Sequence, residues 1–181
     1  YRYDPADPVM TLGGNLTPER YAGPYDQAAS GRRDDVLVFT SAPLDKPVEV
    51  TGLISVTLYA PPSPPDTDFT AKLVDVHPDG KAYNLADGII RARYRKSFQQ
   101  PELLTPGEVY AYTIDLWATS NLFKAGHRIR VDISSSNFPK YDRNPNTGHA
   151  FGEDAELKVA EQRVLHSSRY PSHIVLPVIP R

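Results

Sequence analysis

Eighteen prolines and eleven glycines are spread through a chain of 181 residues. They leave few stretches long enough for three helical turns without a breaker, because proline removes a backbone donor and glycine weakens a helix interior. Strands fit between the breakers. Ile54, Val56 and Leu58 alternate with Ser55, Thr57 and Tyr59, and Ile129, Val131 and Ile133 alternate with Arg128, Arg130 and Asp132. This is the period of two that a half-buried strand requires. Further strand segments are read at 36–40, 69–77, 82–94, 109–116, 158–166 and 173–178. With no helical pattern between them, such a series predicts an all-β antiparallel sandwich rather than a βαβ fold.

Local signals refine the outline. His77-Pro78-Asp79-Gly80-Lys81 predicts a tight turn between adjacent antiparallel strands, proline presetting one φ and glycine accepting a positive one. Pro61-Pro62-Ser63-Pro64-Pro65 reads as a stiff crossover between strands. Residues 1–35 are rich in Gly, Pro and Asp and lack alternation, so they are expected to form an extended arm or linker that lies against a preceding domain. The sandwich is then 36–181, and the chain begins as though cut from something longer.

Composition narrows the function classes. Twenty Lys and Arg against 22 Asp and Glu give a formal net charge of -2. There is no basic excess to attract nucleic acid or an anionic membrane. No apolar run approaches the length of a membrane span, and without cysteine neither a thiol nucleophile nor a cysteine zinc site is possible. The lack of cysteine leaves the compartment open, with a soluble, cytoplasmic location favoured over secretion. Gly-x-Ser-x-Gly, His-Glu-x-x-His, Gly-x-x-x-x-Gly-Lys-Ser/Thr and Gly-x-Gly-x-x-Gly are all absent from the sequence. No catalytic residue is therefore assigned.

Other features have plain structural readings. His77, His127, His149, His166 and His173 show no metal-ligand spacing and are expected to be hydrogen-bonding structural residues. Asp66, Asp68, Asp75, Asp79 and Asp87 lack the EF-hand pattern, so a solvated or ion-paired role is expected rather than a calcium site. Trp117 is expected to pack in the core or at an interface. The loop Ser134 to Gly148 reads either as self-capping through Asx turns or as functional, since loops of about a dozen residues in compact domains often carry function.

The run Asp66 to Asp87 (DTDFTAKLVDVHPDGKAYNLAD) and the segment Ser134 to Gly148 (SSSNFPKYDRNPNTG) closely resemble the C-terminal domain of CocE/NonD serine hydrolases, the family of cocaine esterases, X-prolyl dipeptidyl-peptidases, α-amino acid ester hydrolases and related acylases. Asp35 to Leu44, Gly88 to Arg95, Asp115 to Phe123 and His166 to Pro180 extend the resemblance over nearly the whole chain. It implies a jelly-roll β-sandwich of the galactose-binding-like type and no metal or organic cofactor. The implied partner is an α/β-hydrolase domain of the same polypeptide, which acts on a small ester, amide or X-Pro peptide. This chain would pack on that domain and help form its substrate cleft. Gly13-Gly14-Asn15-Leu16-Thr17 resembles the segment entering the domain, which makes Leu16 and Thr17 pocket-wall positions; Asn137, Phe138, Tyr141 and Arg143 are the expected interface residues, with Arg143 paired to a carboxylate across the interface or inside the loop. A homo-oligomer is also possible. The alternative is a carbohydrate- or polymer-binding sandwich, which would need a coplanar platform of exposed aromatic rings.

Overall fold

The alternating segment at 54–59 lies in the second half of a thirteen-residue strand flanked by Pro47 and Pro61. In the computed structural model, residues 1–15, 22–150, 152–153 and 155–180 are described. The strands in chain order are β1 (Arg2–Tyr3), β2 (Leu37–Thr40), β3 (Val48–Ala60), β4 (Asp68–Val76), β5 (Ala82–Arg91), β6 (Tyr110–Phe123), β7 (Arg128–Ser134), β8 (Ala160–Glu161), β9 (His173–Val175) and β10 (Val178–Ile179). Among the described residues the helical elements are 3-10 turns at Ser30–Arg32 and Ala92–Tyr94, and no helix is long and apolar enough to cross a membrane.

Two antiparallel sheets face one another. One has the order β10-β3-β6 with β9 also paired to β3, the other the order β2-β7-β4-β5, and β1 and β8 make a separate short ribbon. Their inward alternation builds the core: Ile54, Val56 and Leu58 from β3, Tyr112, Ile114 and Leu116 from β6, Phe69, Ala71 and Leu73 from β4, and Val131 and Ile133 from β7. The rings of Phe69 and Tyr112 meet across it at 4.8 Å. Each buried side chain of this size contributes about 1.5–3 kcal/mol.

Two expected strands end early. The segment 82–94 leaves the sheet after Arg91, because Asp66 Oδ1 accepts the Arg93 amide at 3.0 Å and draws the chain into a turn. Of 158–166 only Ala160–Glu161 is a strand, since Gln162 turns inward to donate to Thr67 Oγ1 at 2.7 Å.

The outer face of β2-β7-β4-β5 carries polar residues at the expected period, yet Thr70, Lys72, Asn84, Asp87, Arg130 and Asp132 are buried there. The amino-terminal residues cover them. Val9 donates its amide to Ser136 Oγ at 2.9 Å, and the Gln27 amide reaches the Ala82 carbonyl at 2.7 Å. The Gln27 side chain donates to the Leu12 carbonyl (2.8 Å) and accepts from Lys72 Nζ (3.2 Å). The expected arm thus makes a third layer on its own sandwich. A Gly- and Pro-rich backbone that forms few ladder bonds must find partners elsewhere, and this polar face supplies them. Lys72 lies opposite Asp87 on β5 and Asp132 on β7. Burial pushes its amine down, and the two carboxylates oppose that.

The turn at 77–81 forms as read: His77 N–H donates to the Lys81 carbonyl at 2.8 Å, and Gly80 has φ 90°. A Cβ at Gly80 would meet no atom within 4 Å, so the cost of a side chain is backbone strain alone. Gly80→Val is expected to lower stability by about 1–3 kcal/mol, measured by thermal unfolding.

Candidate functional site at the junction of arm and loop

The two segments singled out for function are laced together. Met10 pairs with Phe138 as a parallel bridge, Thr11 N–H donates to the Phe138 carbonyl at 2.6 Å, and Phe138 N–H donates to the Val9 carbonyl at 2.9 Å. The Lys140 amide donates to Thr11 Oγ1 at 3.2 Å. Farther on, Gly14 and Gly23 exchange backbone bonds of 2.8 Å in both directions. Leu16 and Thr17 lie outside the described residues.

Asp87 is the electrostatic centre of the junction. Its carboxylate accepts from Lys140 Nζ at 2.8 and 2.9 Å and from Asn137 Nδ2 at 3.2 Å, while Lys140 also reaches Asn15 Oδ1. Strand β5, loop and arm therefore share one ion pair. Asn137 is buried, and Phe138 and Tyr141 are half-buried. Burial, reinforced by the Asp87 charge, pushes the Tyr141 phenol up, so it stays protonated. Arg143 Nη1 donates to the Pro5 carbonyl at 3.0 Å, and its guanidinium lies 5.5 Å from the Phe138 ring centre. Among the described residues it meets the arm's backbone rather than a carboxylate.

The far end of the loop is fixed by buried charges. Arg91 donates two bonds to Asp68 (2.9 and 3.0 Å), Arg93 donates to Asp66 (2.7 Å), and Asn144 Nδ2 bridges both carboxylates at 3.0 and 2.8 Å. Burial pushes the Asp68 carboxyl up, while Arg91 and Asn144 pull it back. Within the acidic series Asp75 meets His127, Asp79 lies 4.0 Å from Lys81, and Asp87 meets Lys140. All five therefore have cationic or imidazole partners.

Beside the junction, Trp117 departs from core packing. The β3–β6 register shifts between Leu53 and Ser55, and Trp117 takes φ 65° with its amide bound to Asp115 Oδ1 at 2.7 Å. This bulge turns the indole outward, leaving it 68% exposed next to Leu53 at 75%. A cleft of about 130 Å³ lies between this ring and the arm, lined by Gly14, Asn15, Leu85, Asp87, Trp117 and Ala118. The bulge has no distinct sequence signal, because Leu116-Trp117-Ala118 reads as a continuous apolar strand end.

Four histidines have partners other than serine hydroxyls. His77 and His127 flank Asp75, His166 packs at a tilt against Phe39 at 4.9 Å, and His173 Nδ1 meets the Pro171 carbonyl at 2.7 Å. No histidine–serine pair is thus assembled from these four among the described residues. Among its described residues the junction offers an apolar and charged surface without a histidine-activated nucleophile.

Residues 6–175 match a family described as the X-Pro dipeptidyl-peptidase C-terminal non-catalytic domain. Cocaine esterase of Rhodococcus sp. (strain MB1 Bresler) is 53% identical over 184 residues, covering 100% of this chain and 32% of the esterase. An α-amino acid ester hydrolase superposes with a TM-score of 0.90 at 34% identity, over 99% of this chain and 32% of the hydrolase. An aminopeptidase from a marine sediment archaeon, Thaumarchaeota archaeon, gives 0.89 at 34% identity, over 99% of this chain and 33% of its own. The chain spans about a third of the length of these relatives.

Proposed function

We propose, because the chain belongs to the family of X-Pro dipeptidyl-peptidase C-terminal non-catalytic domains, that it packs through its arm–loop junction on an α/β-hydrolase domain of the same polypeptide and completes that domain's substrate cleft. The observation that carries this reading is the ion pair of Lys140 and Asp87, which holds loop, arm and sheet as one surface beside the exposed Trp117. An exposed indole on a bulge next to a polar, hydrogen-bonded rim is the composition of an interface anchor.

The reaction of the whole polypeptide is, on this reading, acyl transfer from an ester, amide or X-Pro peptide to a serine supplied by the other domain. Nucleophile, general base and oxyanion donors all reside there. This chain contributes position: a wall that limits which acyl groups fit and keeps water from the acyl-enzyme until the leaving group has gone. A sugar-binding role would need free, coplanar rings. Phe39 instead packs at a tilt against His166, and Phe98 stacks on Tyr94 at 5.9 Å.

Leu16 and Thr17 are the pocket-wall positions in this reading. In a polypeptide joining this chain to its hydrolase domain, Thr17→Phe is expected to change the ratio of kcat/KM between aromatic and short-chain acyl esters by about 10-fold or more, the usual range for filling an apolar pocket. Tm should remain within about a degree, as for surface changes. If neither the preference nor the rate changes, the arm takes no part in substrate selection.

A further inference from the structure

We propose that Asp75, His77 and His127 form a binding site for a divalent cation of the zinc class, clasping the β4–β5 turn to the β6–β7 connection. Strand register creates the cluster. Val76 on β4 is paired with Arg128 on β7, so one residue beyond that pair His77 comes opposite His127. Asp75, two residues before His77, shares its face.

Two imidazoles converge on one carboxylate. His127 Nδ1 lies 2.8 Å from Asp75 Oδ1, His77 Nε2 lies 3.6 Å from Asp75 Oδ2, and the three ligand atoms fall within 4.8 Å of one another. A tetrahedral zinc ion with bonds of about 2.0–2.2 Å holds its ligand atoms about 3.3–3.5 Å apart. Small side-chain adjustments therefore suffice. A plain ion pair needs one imidazole, whereas here a second ring stands 4.3 Å from the first and faces the other carboxylate oxygen.

Burial and backbone hold the ligands in place. Asp75 and His127 are buried, and the His77 side chain is 36% exposed, leaving a solvent side for a fourth, water ligand. The His77 amide is fixed by the Lys81 carbonyl (2.8 Å) and the His127 amide by the Lys124 carbonyl (3.1 Å). Tyr83 supports His77 edge-on at 5.0 Å. The nearby cation Arg128 is engaged by the Ser41 carbonyl at 3.0 Å, and Lys81 lies beside Asp79. Two imidazoles with a single carboxylate favour zinc, cobalt or nickel over calcium or magnesium, which take mostly oxygen. On binding, the ion takes the Nδ1 position of His127, whose neutral ring then carries its proton on Nε2.

The test uses the full 181-residue chain treated with a chelator and then given cobalt(II) or zinc(II). The expected results are the visible absorption of four-coordinate cobalt and a rise in Tm of about 6 °C at zinc concentrations about 100 times the dissociation constant. His77→Ala, at a half-exposed position, should stay folded and bind at least about 100-fold more weakly, since even supporting residues around a bound metal account for about 10–100-fold. His149→Ala should bind as the parent chain does. A parent chain with neither cobalt absorption nor a zinc-dependent Tm, or a His77→Ala variant with undiminished binding, overturns the proposal.

Discussion

Arg91→Leu is expected to destabilise the chain by about 3–5 kcal/mol, the cost of removing one partner of a buried ion pair, and to lower Tm by about 10 °C. Asp68 is 1% exposed, and without the two Arg91 bonds it is left with the Asn144 amide at 2.8 Å. The loss should depend on pH in a definite direction. Burial already pushes Asp68 up, and removing Arg91 removes the main opposing influence, so the carboxyl takes its proton at higher pH in the folded variant than in the unfolded one. A folded-state pKa raised in this way means the penalty is full at neutral pH and shrinks as pH falls through the raised value. Urea unfolding of parent and variant at several pH values measures it. The double variant Arg91→Leu with Asp68→Leu should recover much of the loss, because an apolar pair leaves no buried charge unmatched.

The second large effect is expected at Gly88. A Cβ there would lie well inside contact distance of the Asp115 backbone oxygen and 3.2 Å from Ile114 Cγ2. Strand β5 passes β6 at this point, and neither backbone can yield without moving a sheet. Gly88→Val should cost about 3 kcal/mol, at the upper end of ordinary overpacking. It should also displace Asp115, which holds the Trp117 amide at 2.7 Å. Thermal unfolding reads the first effect, and tryptophan fluorescence reads the second because Trp117 is the one tryptophan. At Gly80 the same substitution meets open space, so the smaller loss expected there separates conformational strain from steric conflict.

Which parts of this architecture are legible in the sequence follows from the range of the signals. Period-two alternation at 54–59 and 128–133, and the turn at 77–81, are local consequences of side-chain direction and backbone φ, and they appear where read. The third layer is different. Thr70, Lys72, Arg130 and Asp132 alternate as a solvated face would, and nothing in their own strands records that Val9, Leu12 and Gln27 of the arm lie over that face. The arm's lack of alternation signals only that it is not a strand. Asp87 and Lys140 are 53 residues apart, and their pairing depends on β5 lying beside the loop. The resemblance points to Asn137, Phe138, Tyr141 and Arg143 together but not to Arg143 meeting the Pro5 carbonyl. Asp75, His77 and His127 lack metal spacing in sequence because strand register, not chain order, sets them side by side. Trp117 reads as strand because a bulge is a property of two strands, and one alone does not reveal it.

The central claim is that the arm–loop junction is the face that meets the catalytic domain. Hydrogen exchange, followed by mass spectrometry on the 181-residue chain alone and on the same chain joined to an α/β-hydrolase domain, tests it most directly. Slower exchange on joining is expected at residues 9–15, 117–118 and 137–143, with the turn at 77–81 unchanged. Unaltered exchange at the junction, or protection gathered at the 77–81 end, would contradict it.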